Sequence, residues 1–199
     1  MKYISFILFG IWVLTEMLSA QGTTPVETGS ASFAARLVEA ANFRTSQEIR
    51  YDPAYVVLRY PGGDVPSDTG VCTDVIIRSY RALGIDLQKL VHEDMKQNFS
   101  VYPKNWGLTW PDRNIDHRRV PNLQCFFERE GAEIEANESP IYLPGDIVAW
   151  DLTGNGLWHI GIVTGPDTFV HNIGSGPVTE TGIDSWKVVG HYRYFPDGE

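Results

Sequence analysis

Cysteine is scarce in this chain. The two residues, Cys72 and Cys125, are too few for a four-cysteine zinc site or a disulfide-dense miniprotein. Positive charge is short as well. Lys and Arg number 16 against 25 Asp and Glu, a formal net charge of −9, so bulk electrostatics oppose a grip on nucleic acid or on an anionic membrane. No GxxxxGK[ST] string occurs, which excludes a P-loop, and no HExxH string, which excludes the zinc-protease helix. Internal repeats and low-complexity tracts are missing. Apolar and aromatic residues are plentiful, at 43% and 12%, so the chain has the means to bury a core and is not of the disordered class. Its 19 Gly and 12 Pro call for many turns and argue against a helical bundle.

Met1–Ala20 reads as a signal peptide. Lys2 supplies the positive start, Tyr3 to Leu14 the apolar stretch, and Ser19 and Ala20 the small residues before a cut. The stretch is shorter than the ~20 apolar residues a spanning helix needs. Later in the chain no apolar run is long enough to span a bilayer. The expectation is therefore an exported protein, periplasmic or secreted, with no integral membrane segment after cleavage. Gln21–Ser30 is polar and reads as a flexible leader, and 31–199 as a single domain.

Within that domain, Phe33, Leu37 and Ala40 or Ala41 repeat at helical spacing. So do Val71, Val75, Ile76, Ser79 and Leu83, ended by Gly84, and Leu87, Leu90, Val91 and Met95. Pro121 is placed to open a helix that turns Leu123, Phe126 and Phe127 inward and stops at Gly131. Tyr51–Tyr60 reads as extended. After Pro144-Gly145 the pattern changes to strands at Asp146–Leu152, Trp158–Thr164, Thr168–Ile173 and Val188–Phe195, separated by Gly-rich turns. Helices followed by an antiparallel meander is the α+β pattern.

Cys72 follows a turn and opens a predicted helix that Asp68 or Thr69 could cap. The first turn of a helix offers unpaired N–H groups and partial positive charge, which favour a thiolate and stabilise an oxyanion. Two candidate bases, His159 and His171, sit on consecutive predicted strands. If those strands are adjacent, the imidazoles lie side by side, one taking the thiol proton and the other holding its orientation. Competing readings are a Cys72–Cys125 disulfide, histidines that only satisfy the core, and a zinc site of Cys72, His159, His171 and His191. Cys125, in an apolar helix, reads as a buried inert thiol, and His191 as a strand-surface or packing residue.

The stretches Val71-Cys72-Thr73-Asp74, Pro144-Gly145-Asp146-Ile147-Val148, His159-Ile160-Gly161-Ile162-Val163 and Phe169-Val170-His171-Asn172 fall in the order seen in NlpC-type peptidases. The chain resembles those papain-like cysteine hydrolases of the cell wall. More closely, the strings YPGGDVP, VCTDV, NIDHRRVPNL and VHNIG resemble an exported bacterial family catalogued as domain of unknown function 1287, over roughly Tyr51 to Phe195. The resemblance implies a papain-like (NlpC-type) fold, with N-terminal helices packed on a small antiparallel sheet. It implies Cys72 as nucleophile, His159 as base and His171 as the orienting residue. The substrate it implies is an amide bond in peptidoglycan stem peptides. Where NlpC-type enzymes read D-C-S-G, this chain has Val71-Cys72-Thr73-Asp74.

Arg118 and Arg119 concentrate charge in DRNIDHRR. They form either a carboxylate-binding wall or, as we prefer, a loop held by ion pairs through Asp112, Asn114 and Asp116. Trp106, Trp110, Trp150 and Trp158 could line a groove but are expected mainly in the core; Trp158 is kept as a substrate-side candidate. Asp64 and Asp74 are expected to shape the turn at the nucleophile. No metal and no cofactor is required, and the chain is read as a monomer. The rival functions are a non-catalytic cell-envelope binding module and an acyl transferase or thioesterase on the same scaffold.

Overall fold

Ser32 starts the first helix by accepting the Ala35 N–H on its hydroxyl at 3.2 Å. The helix, α1, runs Phe33–Arg44 and buries Phe33, Leu37, Ala40 and Ala41, the three- and four-residue spacing of one face. The structure is a computed structural model that describes residues 31–135 and 141–196; the expected signal peptide and leader lie outside the described residues. Two short strands, β1 (Arg50–Tyr51) and β2 (Thr69–Gly70), pair in parallel. Helix α2 (Cys72–Ala82) follows, then α3 (Leu87–Asn98), a 3-10 turn at Asp116–Arg118, and α4 (Val120–Arg129) with Pro121 in its first turn. Five strands complete the fold: β3 (Ile147–Asp151), β4 (Trp158–Gly165), β5 (Thr168–Asn172), β6 (Pro177–Thr181) and β7 (Lys187–Tyr192). They form one antiparallel sheet in the order β6-β5-β4-β3-β7. The fold class is α+β, helices first and sheet second. No helix among the described residues is long and apolar enough to cross a membrane.

The extended segment expected at Tyr51–Tyr60 pairs only at its first residue. Tyr55 and Val57 are exposed, and the backbone is held by side chains instead of a ladder. The Leu58 N–H donates to Asn114 Oδ1 at 2.9 Å, and the Gln88 amide donates to the carbonyls of Arg59 and Arg113. Of the four tryptophans weighed between core and groove, only Trp150 is buried; Trp106 and Trp110 stand exposed, as does the substrate-side candidate Trp158.

The sheet has two apolar faces. Ile147, Ala149, Ile160, Ile162, Val170 and Tyr192 pack on the helices, against Leu37, Ile76, Ile77, Leu123, Phe126 and Phe127. Val148, Trp150, Val163, Phe169 and Ile183 form a second core on the other side. Because β3 is covered on both faces, its whole IVAWD run is buried. Helix α2 is buried along Cys72–Tyr80, not on one face only, since it lies between α1, α3 and the sheet strands β4 and β5.

Two buried carboxylates anchor this frame. Asp74 sits in the first turn of α2, and its Oδ2 accepts the Val71 N–H at 2.7 Å. Neither Asp68 nor Thr69 caps the helix; the reciprocal bond from Asp74 does that work. Asp74 is also paired with Arg118, whose side chain is 2% exposed, at 2.9 Å. Asp146, after the Pro144-Gly145 turn, accepts from His191 Nε2 at 2.7 Å and from the Arg193 guanidinium at 2.7 and 3.0 Å. His191 is thus a buried hydrogen-bonding partner, not a surface residue.

Removing one partner of a buried pair leaves the other charge uncompensated, so Asp74→Ala and Arg118→Met should each lower stability by about 3–5 kcal/mol. Urea midpoints read this. The double variant should lose less than the sum of the two, and Lys89→Gln, in an exposed pair with Glu93, should leave the midpoint unchanged. Asp146 gives a pH signature. Burial alone would raise its carboxyl; the bonds from His191, Arg193 and the Leu143 N–H outweigh burial and hold it below the ordinary carboxylate range. A carboxyl depressed by folding adds stability that is complete above its unfolded pKa of about 3.9 and is lost as pH falls through the folded value. The gap in melting temperature between wild type and Asp146→Asn should therefore be widest near neutral pH and narrow below about pH 4.

Candidate active site

The site assembles where the start of α2 meets the sheet. Cys72 is the first residue of α2 and is 5% exposed. Gly70, two residues before it, packs closely on this turn: a Cβ placed there would lie 3.3 Å from the Asp74 Cβ. The turn is tied down from two sides. Thr73 donates its hydroxyl to the Arg118 carbonyl at 3.1 Å, and the Asn172 amide, at the end of β5, approaches the Gly70 carbonyl at 3.4 Å.

Strand β4 receives the sulfur. In the β3–β4 register Trp150 stands opposite His159 and Ala149 opposite Ile160. The bonds at Val163 to Asp146 and Leu152 to Leu157 set the alternation, so His159 and Gly161 turn their N–H groups toward β3 and Ile160 turns its own toward β5. The β4–β5 pairing runs only as far as Ile162 opposite Val170. Beyond it, the Ile160 N–H donates to the Cys72 sulfur, and the Thr73 N–H does the same from the helix. The thiol therefore sits in the opening between β4 and β5, beside the residue that follows His159.

His159 and His171 lie on the Trp150 side of the sheet. Their rings meet edge to face, with His159 Nε2 and His171 Nδ1 2.7 Å apart. Trp150 stacks on His159 at 5.9 Å and 29°, and its indole N–H is fixed by the Ile183 carbonyl at 2.7 Å. Phe169 and Trp186 close around His171. Gly161 makes room for this packing, since a Cβ there would fall 2.9 Å from the Val170 carbonyl and 3.2 Å from the Trp150 ring. The second nitrogen of His171, Nε2, is buried and lies 3.2 Å from a Glu180 carboxylate oxygen, off the line of a well-formed hydrogen bond.

Burial sets the resting protonation. It pushes the Cys72 thiol up to about 12, against the N–H donors of Ile160 and Thr73. It pushes His159 down to about 3, and the neighbouring His171 adds to that shift. The resting pair is a neutral thiol and a neutral imidazole, and helix-start placement alone does not produce the expected thiolate.

The other candidates are dispersed. Arg118 gives its guanidinium to Asp74 and to the carbonyls of Ala54 and Asp52, and with its side chain 2% exposed it does not form a carboxylate-binding wall. Arg119 pairs with Asp116 at 3.0 Å and lies over the Trp106 ring at 4.1 Å. Asp64 binds Arg78 and Arg81, at least six residues, or about 9 Å, along α2 from Cys72. Trp158 is 37% exposed and shares the Ile160 face of β4, the side on which Cys72 lies. Cys72 and Cys125 are free thiols, and Cys125 is half-buried where full burial was expected. His191, the fourth zinc candidate, is engaged by Asp146. Glu180 and Trp186 had no sequence signal: a Glu on a polar strand and a Trp after a turn carry no motif.

Two solved structures from Trichomonas vaginalis, NlpC1 and NlpC2, are similar to the chain at 18% and 17% identity, with TM-scores of 0.47 and 0.48. The matches cover 84% and 83% of this chain but 46% and 48% of theirs, so the chain spans about half the length of those proteins. Uncharacterized protein YijF of Escherichia coli (strain K12) is 50% identical over 166 residues, 80% of each sequence. The family described as Domain of unknown function (DUF1287) matches residues 38–194. With residues 38–194 inside that match and half of the 166 aligned residues identical in YijF, the chain belongs to the DUF1287 family.

Proposed function

We propose that the protein is an exported cysteine hydrolase that cleaves an amide bond in peptidoglycan stem peptides. The observation that carries this reading is the convergence of a helix-start thiol, the N–H beside His159 and a 2.7 Å His159–His171 contact in one buried site. The substrate class rests on the signal-like Met1–Ala20 and on the resemblance to NlpC-type enzymes.

In this mechanism the Cys72 sulfur attacks the amide carbonyl while its proton passes to His159. A C–S bond forms, and the carbonyl oxygen becomes an oxyanion facing the N–H groups at the start of α2. The C–N bond then breaks, and the His159 imidazolium gives its proton to the departing amine. Water attacks the thioester with His159 as base, which releases the acid and restores the thiol. His171 holds the His159 ring and stabilises its charged form. Because thiol and imidazole are both neutral at rest, the proton moves as the C–S bond forms, in general-base fashion.

Digestion of purified peptidoglycan followed by mass analysis of the fragments tests the reading. Wild type should release fragments with new termini inside the stem peptide, and Cys72→Ala should release none; equal digestion by both would overturn it. His159→Gln should lower turnover at least about 100-fold, the weight of a general base. By contrast His171→Asn should keep activity within about tenfold of wild type, since an amide can still orient the ring.

The protonation state has its own check. In a Cys125→Ser background, alkylation of Cys72 by iodoacetamide should accelerate about tenfold per pH unit between roughly pH 6 and 9, following the thiolate fraction. A rate that levels off on the acid side would reveal a preformed thiolate–imidazolium pair.

A further inference from the structure

We propose that Glu180 is a positioning residue that fixes the tautomers of the two histidines, and so leaves the His159 Nδ1 lone pair free to take the Cys72 proton. The inference rests on the hydrolase reading above.

The argument follows the protons along one chain of contacts. Glu180 lies on edge strand β6, where Val178 stands opposite His171. Two residues on, Glu180 shares that face and reaches His171 diagonally, Oε2 to Nε2 at 3.2 Å. His171 Nε2 is buried, and among the described residues no other group hydrogen-bonds it. Although the contact is off the line of a well-formed hydrogen bond, a carboxylate oxygen at 3.2 Å cannot donate and repels a lone pair facing it, so the proton of neutral His171 belongs on Nε2. Its Nδ1 is then an acceptor, and the 2.7 Å contact must be a donation from His159 Nε2. A neutral His159 with its proton on Nε2 has its lone pair on Nδ1. Of the four ring nitrogens it is the one that faces neither the other ring nor Glu180.

Without the carboxylate the same 2.7 Å bond can form in reverse. His171 would carry its proton on Nδ1 and donate to His159 Nε2, and His159 would hold its own proton on Nδ1, where a base is needed. The two arrangements have the same number of hydrogen bonds between the rings. Only the group at His171 Nε2 tells them apart. Selecting a tautomer is how the third member of a catalytic triad works; here the choice is made one residue further out, because the orienting group is itself an imidazole. The electrostatics agree: burial lowers the His171 pKa, and Glu180 acts in the opposite sense. Trp186, Phe169 and Trp150 exclude water from the rings, so water does not blur the choice.

The test uses the full chain with 15N-labelled histidine and long-range 1H–15N correlation spectra, which report the protonated nitrogen of each ring. Wild type should show His159 and His171 both protonated on Nε2. Glu180→Gln is isosteric, at a side chain that is 43% exposed, and Glu180→Ala gives a second variant without an amide. Both should move a large share of each ring to the Nδ1–H form. On a stem-peptide substrate kcat should drop about tenfold or more, with KM within about twofold, as expected for a group that orders the base without touching substrate. Unchanged tautomers and kcat in both variants would overturn the assignment while leaving the hydrolase reading intact. Shifted tautomers in a protein whose wild type cleaves nothing would do the reverse, supporting Glu180 as the tautomer-fixing group and rejecting hydrolysis.

Discussion

A carboxylate and a guanidinium taken out of water each lose several kcal/mol of hydration, and a buried pair is tolerated only where geometry and further hydrogen bonds make up the loss. Asp74 and Arg118 meet that condition through a forked contact, the Val71 N–H, and the carbonyls of Asp52 and Ala54. The consequence is positional. The pair joins the first turn of α2 to the segment before α4, and the neighbouring Thr73 hydroxyl repeats the link. Cys72 is thereby held at one depth and one angle against β4. Thr73 and Asp74, the two residues after the cysteine, make this tether.

Two opposing effects act on the thiol so held. A helix start stabilises an anion by about 0.3–1 kcal/mol, and up to ~2 in buried settings. Raising the thiol pKa from its ordinary 9.0 to about 12 corresponds to about 4 kcal/mol against the anion. Burial therefore wins. In the proposed mechanism the nucleophile stays a thiol until a base and an electrophile are both in place. His159, equally deprived of water, is an unprotonated imidazole ready to accept. The arrangement suits concerted proton transfer and disfavours a resting ion pair.

Much of this was legible in the sequence because the relevant signals are local. Helical periodicity around Leu37, Ile76 and Val91, the Pro121 start of α4 and the Gly-punctuated strands after Pro144 all reflect burial patterns that a single element imposes on its own residues. The placement of Cys72 at a helix start and of His159 and His171 on neighbouring strands was legible for the same reason, each tied to one predicted element end or strand. What escaped depends on partners far along the chain. Strand β6 has a half-exposed, Thr- and Glu-rich edge sequence with Pro at its start, and so lacks the alternation of apolar residues that marks a strand. The capping of α2 by Asp74, the loss of Arg118 to a buried pair and the seat of His191 on Asp146 each join residues more than 40 positions apart or reverse a local preference. Tyr51–Tyr60 failed in the other direction: its apolar residues suggest a strand, but only Tyr51 at its start pairs with one, and Asn114 and Gln88 bond the backbone at Leu58 and Arg59 instead.

The second core gives the site its remaining constraint. On a sheet with one apolar face, the histidines would stand on the solvated side. Here Trp150, Phe169, Trp186 and Ile183 cover that side, and Gly161 lets the Trp150 ring lie directly over the strand that carries His159. The cover lowers the basicity of the imidazoles, yet it also fixes both rings, since neither can rotate without displacing an indole or a phenyl group. Orientation is gained at the expense of basicity. In the proposed mechanism, a base with a low pKa works against a thiol with a high one only if the proton is passed within a hydrogen bond and the new positive charge is shared at once. Within this chain, a bonded second imidazole and a carboxylate beyond it are the groups placed to share that charge.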